Sequence, residues 1–341
     1  MSSLYINESG AVLFVEGGYF CAKQKNGLVR KLPKELVEST TIFGNSSVTT
    51  PCIQECLRRG VCVNYLSGKG AYYGMLASTR HVNGERLKKQ IYACDDPAFR
   101  LALAKRITAA KIQNQRVVLR RYTRNHDADL TAELQTMKQL ERRQERSGTV
   151  EELMGVEGMA ARTYFTGLSK LVEPAFAFQG RSRQPPRDAF NSMLSLGYTM
   201  LLYELYAEIE DRGMSPYVGF LHREHRGHPS LASDLMEEWR AVIVDTLVMS
   251  LVQGHEVRIA QFAEDPDTGG ILLQPDAMRT FIRKFEKRME TPPPHLPSPP
   301  SSLRPRPHLP TTSFHRPMQL RTPAQHLTTQ IPYNASSPFA Q

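Results

Sequence analysis

From Met1 to about Leu76 apolar and polar positions alternate in short runs such as Leu4-Tyr5-Ile6, Val12-Leu13-Phe14-Val15 and Tyr19-Phe20-Cys21-Ala22. A period of two places apolar side chains on one face of a strand, and Gly17-Gly18 and Asn26-Gly27 separate the runs at hairpin spacing, so β-hairpins are predicted. Thr40-Thr41-Ile42-Phe43-Gly44 predicts another strand. Thr50 and Pro51 then supply an N-cap and a first-turn proline for a helix through Arg59, closed by Gly60. Strand character resumes over Val61-Cys62-Val63-Asn64-Tyr65-Leu66.

After roughly Gln90 the period becomes helical and stays so to about Glu290. Thr149 with Glu152 three residues on forms a capping box for a helix to about Lys170. Asp188 can cap a helix through Asp211, closed by Gly213, and Ser230 can cap one through Gln253, closed by Gly254. The fold class expected is α+β and multidomain. A small, mainly β N-terminal domain (1–85) precedes a linker (86–96), a larger all-α helical domain (97–290) and a tail (291–341). In that tail 13 of 51 residues are proline and none is acidic, while four arginines and four histidines are scattered among Ser, Thr and Gln. Such a composition predicts a disordered basic tail.

Composition narrows the class. Hydrophobic residues make up 40% and charged residues 23% of the 341, as in a soluble globular protein. There is no apolar run of about 18 residues and no signal-like start, so a cytoplasmic protein with no membrane association is expected. Five cysteines, an odd number without a C-x-x-C pair, argue against a disulfide framework and a structural zinc site. The net charge of +9 favours a polyanionic partner, although a basic balance by itself also fits an acidic membrane surface or nothing specific.

Candidate chemistry lies in the helical part. Glu157 shares a stripe with Leu153, Ala160 and Tyr164, so it points toward the apolar side, where it suits either a ligand or an ion pair. Gly155 and Gly158 flank it and suggest close approach of another backbone or a ligand. On the helix after Ser230, Leu231, Leu235, Trp239, Val242 and Ile243 define the buried face. Asp234, Glu238 and Asp245 border that face, and Glu237 lies further round. Like charges at this spacing repel, which a bound cation or Arg240 as counter-ion would relieve. Gly219-Phe220-Leu221-His222 reads as a turn bringing an imidazole beside this acidic helix, where it suits either a hydrogen-bonded structural residue or a metal ligand. One histidine with two glutamates suits Mg²⁺ or Mn²⁺.

Between positions 97 and 126 eight basic residues occur with no acid: Arg100, Lys105, Arg106, Lys111, Arg116, Arg120, Arg121 and Arg124. Arg116, Arg120 and Arg124 recur every four residues on one helix face, which fits a track for a DNA backbone or a solvated basic face.

The chain resembles the CRISPR-associated integrase family over about residues 1–290. The resemblance is carried by Leu4-Tyr5-Ile6, Ile42-Phe43-Gly44-Asn45, Arg86 to Gln90, Lys111-Ile112-Gln113-Asn114-Gln115-Arg116, Gly155-Val156-Glu157-Gly158, Asp188 to Tyr198 with Asn191, Gly219 to His222, and Ser230 to Arg240. It implies that Glu157, His222 and Glu237 are catalytic metal ligands supported by Asp234 and Asn191, and that the β domain mediates homodimerisation. It further implies a metal-dependent DNA endonuclease and integrase. This enzyme inserts captured double-stranded fragments into a CRISPR repeat by 3′-hydroxyl attack on a phosphodiester, together with a small partner subunit. The alternatives are a structure-specific nuclease that does not integrate, and a nonenzymatic DNA-binding scaffold.

Overall fold

The computed structural model describes residues 2–124, 126–222 and 225–290; the expected disordered tail, 291–341, lies outside them. The first part of the chain forms two four-stranded sheets. One holds β1 (Ser2–Ile6), β5 (Val37–Phe43), β7 (Cys62–Leu66) and β8 (Tyr72–Leu76) in that order, and the other holds β4 (Val29–Pro33), β3 (Tyr19–Lys23), β2 (Val12–Glu16) and β6 (Ser47–Val48). The hairpins expected at Gly17-Gly18 and Asn26-Gly27 join β2 to β3 and β3 to β4. β1 instead runs parallel to β5, with Leu4 opposite Thr40 and Ile6 opposite Ile42, and β5 runs parallel to β7. Period-two alternation fixes faces and leaves the choice of neighbour to the tertiary fold.

Helix α1 (Thr50–Arg59) ends at Gly60, whose left-handed φ of 75° closes it as expected. Cys52 and Cys56 of α1 pack with Ile6, Leu13, Phe20, Ile42 and Val63 into one small core. The other face of the β1-β5-β7-β8 sheet rests on the helical part. There Tyr5 Oη donates to Glu204 Oε1 at 3.1 Å and Tyr72 stacks on Tyr203 with ring centres 3.5 Å apart. Burial on both faces explains why Ser39 to Phe43 are all buried although β5 is half polar.

The segment expected as a linker is helix α2 (Gly84–Asp95), capped by Asn83, whose Oδ1 accepts from Arg86 N at 3.0 Å. Its Gln90 is fully buried and bonds the carbonyls of Ser215 and Val218 and the amide of Ser215, each at 2.8 Å. The helical run therefore begins at Gly84 and is bonded to the loop that leads to His222.

The helices that follow are α3 (Pro97–Thr123), α4 (Thr131–Arg146), α5 (Val150–Ser169), α6 (Ala189–Asp211) and α7 (Ser230–Trp239). The helix expected from Ser230 to Gln253 is interrupted by a π-helical turn, Arg240–Asp245, before α8 (Thr246–Gln253). The left-handed residue that ends α8 is His255 (φ 49°), one position beyond Gly254. A small hairpin, β9 (Phe262–Glu264) with β10 (Ile271–Leu273), precedes α9 (Pro275–Glu290), so the second part is mainly rather than wholly helical.

Candidate metal centre

Asp234, on the second turn of α7, organises the loop before it. It is fully buried, and its Oδ2 accepts from Phe220 N at 2.6 Å and Leu221 N at 2.9 Å. Its Oδ1 accepts from His222 N at 2.9 Å and faces His222 Nδ1 at 2.7 Å. Gly219 makes the approach feasible, since a Cβ there would lie 2.7 Å from Ser230 Cβ and 2.8 Å from Asp234 Oδ2. The Asp234 bond holds the ring proton on Nδ1 and leaves Nε2 as the free lone pair, which is the tautomer that binds a metal. Burial disfavours a charged ring, but the bond to Asp234 and the charges of Asp234 and Glu237 outweigh it and raise the His222 pKa.

Nε2 of His222 lies 3.8 Å from Oε1 of Glu237. Glu237 is buried rather than placed further round toward solvent, because α7 is covered on every side from Ser230 to Glu237. Its neighbours answer this. Arg240 Nη2 lies 3.1 Å from Glu237 Oε1 and Lys111 Nζ lies 2.5 Å from Oε2. Burial works against the Glu237 carboxylate, yet Arg240, Lys111 and His222 prevail and hold it below the usual carboxylate range.

Glu157 projects from α5, one-fifth exposed, and pairs with the same Lys111 ammonium through Oε1. α3, α5 and α7 thus deliver one ammonium, one partly buried carboxylate and one buried carboxylate to a single point, with the His222 loop at its edge. The close backbone approach expected at Gly155 and Gly158 is not found: both are exposed, and a Cβ at either would meet nothing within 4 Å.

Among the described residues, no three His, Cys, Asp or Glu side chains are already gathered to hold an ion, and Lys111 lies between the two glutamates. The donor set nevertheless fits a divalent cation. It offers two carboxylates, one imidazole nitrogen oriented by a buried acid, and a Glu237 Oε2 that has charge compensation but no aligned hydrogen bond. The lysine ammonium sits between the glutamates as a stand-in cation.

The outer layer runs from Arg240 to Asn191. Arg240 and Arg181 both lie over the Tyr198 ring, at 5.1 and 5.2 Å. Asn191 Oδ1 accepts from Arg181 Nη1 at 2.9 Å and from Ser182 N at 3.1 Å, and its Nδ2 donates to Gly180 O and Asp188 Oδ2. Asn191 therefore fixes the loop that carries Arg181. The π-helical turn rotates Asp245 inward, where it accepts from Tyr164 Oη at 2.7 Å and Tyr198 Oη at 2.5 Å. Burial raises the Asp245 pKa to about 6.

Residues 4–287 match the family model described as CRISPR associated protein Cas1. The chain belongs to the Cas1 family. It is 40% identical over 290 residues to the CRISPR-associated endonuclease Cas1 of Mycobacterium tuberculosis strain H37Rv, covering 85% of both chains. A Cas1 endonuclease of Thermus thermophilus is 39% identical over 293 residues, with 84% of each covered. Among solved structures, a casposase bound to its integration product is 25% identical with a TM-score of 0.75, covering 85% of this chain and 83% of that one. The Cas6-RT-Cas1–Cas2 complex shares the fold at 24% identity and a TM-score of 0.80, covering 97% of this chain and 35% of that one.

The basic track of this Cas1 chain divides in two. Arg106, Arg120, Arg121 and Arg124 are exposed on or just beyond α3. The other four are tied to neighbouring elements. Arg100 Nε donates to Phe220 O at 3.0 Å and Lys105 Nζ to Glu145 O at 2.9 Å, Arg116 pairs with Glu141, and Lys111 is buried at the centre. Four-residue spacing shows a shared face and does not show which acids of α4 or α5 pack onto it. Sequence reasoning missed Lys111 at the centre, Arg181, and the Tyr164–Asp245–Tyr198 group. Only the lack of acids between positions 97 and 126 hinted that these cations find partners elsewhere. No helix among the described residues is long and apolar enough to cross a membrane.

Proposed function

We propose that this Cas1 protein is a metal-dependent DNA endonuclease and integrase that joins the 3′ end of a captured fragment to a phosphodiester at the edge of a CRISPR repeat. The observation that carries the reading is His222. A fully buried acid holds its Nδ1 at 2.7 Å and turns its Nε2 toward a buried glutamate, an arrangement that supports binding of a cation. The casposase likeness supports strand transfer rather than hydrolysis alone, and the likeness to a Cas1–Cas2 complex supports a small partner subunit.

Glu157, His222 and Glu237 would hold Mg²⁺ or Mn²⁺. The bound ion would supply charge stabilisation for the phosphorane-like transition state and the departing oxygen. The protein supplies position and charge. Asp234 holds a ring proton on Nδ1 and so aims Nε2 toward Glu237, and Arg240, braced on Tyr198, adds a fixed positive charge beside that carboxylate. The incoming 3′-oxygen gives up its proton to solvent and bonds to phosphorus as the bond to the target strand's own 3′-oxygen breaks, and that oxygen takes up a proton as it leaves. One phosphodiester replaces another, so no energy source is required. The exposed arginines Arg106, Arg120, Arg121 and Arg124 would track the backbone without reading sequence. Two insertions at opposite repeat ends call for two active sites, hence a homodimer joined through the β domains.

The test is integration in vitro with Mn²⁺, the purified partner subunit, a labelled fragment with free 3′ ends and a supercoiled target carrying the repeat. Labelled target is expected with the parent and absent with Glu157→Gln. Cleavage without joining would favour a structure-specific nuclease; neither cleavage nor joining would favour a scaffold.

A further inference from the structure

Lys111 is 5% exposed in a helix whose neighbours Ile112 and Gln115 are equally buried, and its ammonium touches both Glu157 and Glu237. These are the two carboxylates assigned above to the divalent ion. A buried ammonium is costly unless paired, and two carboxylates a few ångströms apart in a buried site repel unless a cation lies between them. Each half of the arrangement therefore requires the other as long as no metal is bound.

We propose that Lys111 is an internal counter-cation. It holds Glu157 and Glu237 together in the metal-free protein, and it must leave at least one of them for the divalent ion to enter. Its charge thus sets the metal affinity and couples metal binding to DNA. The inference rests on the ligand reading of Glu157, His222 and Glu237. Charge counting gives the coupling. Glu157, Glu237 and Asp234 carry three negative charges, and Lys111 and Arg240 carry two positive ones. One negative charge remains. A divalent ion turns this into one positive charge, which a single phosphodiester cancels. Without DNA the ion enters a site already nearly neutralised by lysine. With DNA present, both the ion and the displaced ammonium gain a phosphate to face. Lysine suits the role because its ammonium is a compact charge on a flexible stem, able to swing aside while the stem stays packed.

The test is Mn²⁺ titration calorimetry on the full chain, with and without a short DNA duplex, alongside metal-free melting. The parent, Lys111→Met, Lys111→Arg and Glu157→Gln are compared. Lys111→Met is expected to melt lower without metal, to bind Mn²⁺ at least about tenfold more tightly without DNA, and to lose most of the gain that DNA gives the parent. Lys111→Arg should stay near the parent. If Lys111→Met folds only when Mn²⁺ is present, that too supports the exchange of one cation for the other. A purely structural lysine would lower stability equally with and without Mn²⁺ and leave the dissociation constant within about twofold, which overturns the proposal. Should Lys111→Met not fold under any condition, Lys111→Gln is titrated in its place with the same criterion. The ligand reading fails separately, by absent Mn²⁺ binding in the parent or by binding that survives Glu157→Gln.

Discussion

Replacing Asp234 by asparagine tests how the imidazole is aimed. The side chain is the same size, but an amide has one acceptor oxygen where the carboxylate has two. In the parent, Oδ2 serves Phe220 N and Leu221 N while Oδ1 serves His222 N and His222 Nδ1, at 2.6 to 2.9 Å. Whichever way the amide turns, two of these four donors face an NH₂ group. With its oxygen toward Phe220 and Leu221, the amide donates to Nδ1, forcing the ring proton onto Nε2, where it blocks metal binding. With its oxygen toward His222, it sets two buried backbone amides against a donor and pushes the loop away. Hydrogen bonds to a charged acceptor are worth about 1.5–3 kcal/mol each, so losing two costs about 3–6 kcal/mol of stability. Loss of an orienting partner of this kind lowers metal affinity about 10- to 100-fold. Urea unfolding and Mn²⁺ calorimetry on Asp234→Asn read both quantities. An affinity within about twofold of the parent, with less than about 1 kcal/mol of stability lost, would refute the claim that Asp234 aims His222.

Three further expectations follow from the same geometry. Gly219→Ala introduces a Cβ 2.7 Å from Ser230 Cβ and 2.8 Å from Asp234 Oδ2, so it should cost about 1–3 kcal/mol in urea and weaken Mn²⁺ binding as well; unchanged Mn²⁺ binding would show that the loop tolerates a shift away from Asp234. Asp245 takes up a proton at about pH 6 in the fold against an ordinary 3.8, so the folded state binds that proton more tightly and the parent loses stability as pH rises between those values. Asp245→Asn removes this pH dependence, and its stability relative to the parent should improve by up to about 3 kcal/mol from pH 4 to pH 7; a flat difference in urea series across that range argues against a raised Asp245. Changing Arg120, Arg121 and Arg124 to glutamine should lower the salt slope of DNA binding by about 0.9 for each phosphate these arginines neutralise, and filter binding from 50 to 200 mM salt with an unchanged slope would remove this face from the DNA path.

The sequence by itself determined the elements that local rules govern. The strand runs, the glycine-centred hairpins β2–β3 and β3–β4, α1 closed by Gly60, the Thr149 cap and the Asp188 cap all arise from residues within a few positions of one another, and all are present. Its ordered motifs also indicated the family, and with it the residues to inspect. The tertiary structure decided whatever depends on the choice of partner. Alternation could not choose β5 as the neighbour of β1, and helical periodicity could not foresee the π-helical turn that rotates Asp245 onto Tyr164 and Tyr198. Most of all, a run of basic residues on α3 carries no sign of where its charges are balanced. Lys111 and Arg106 look alike in sequence, yet one ends buried between two glutamates and the other in water. Charge compensation in a buried site is set by distances between helices far apart in the chain, and packing alone fixes those distances.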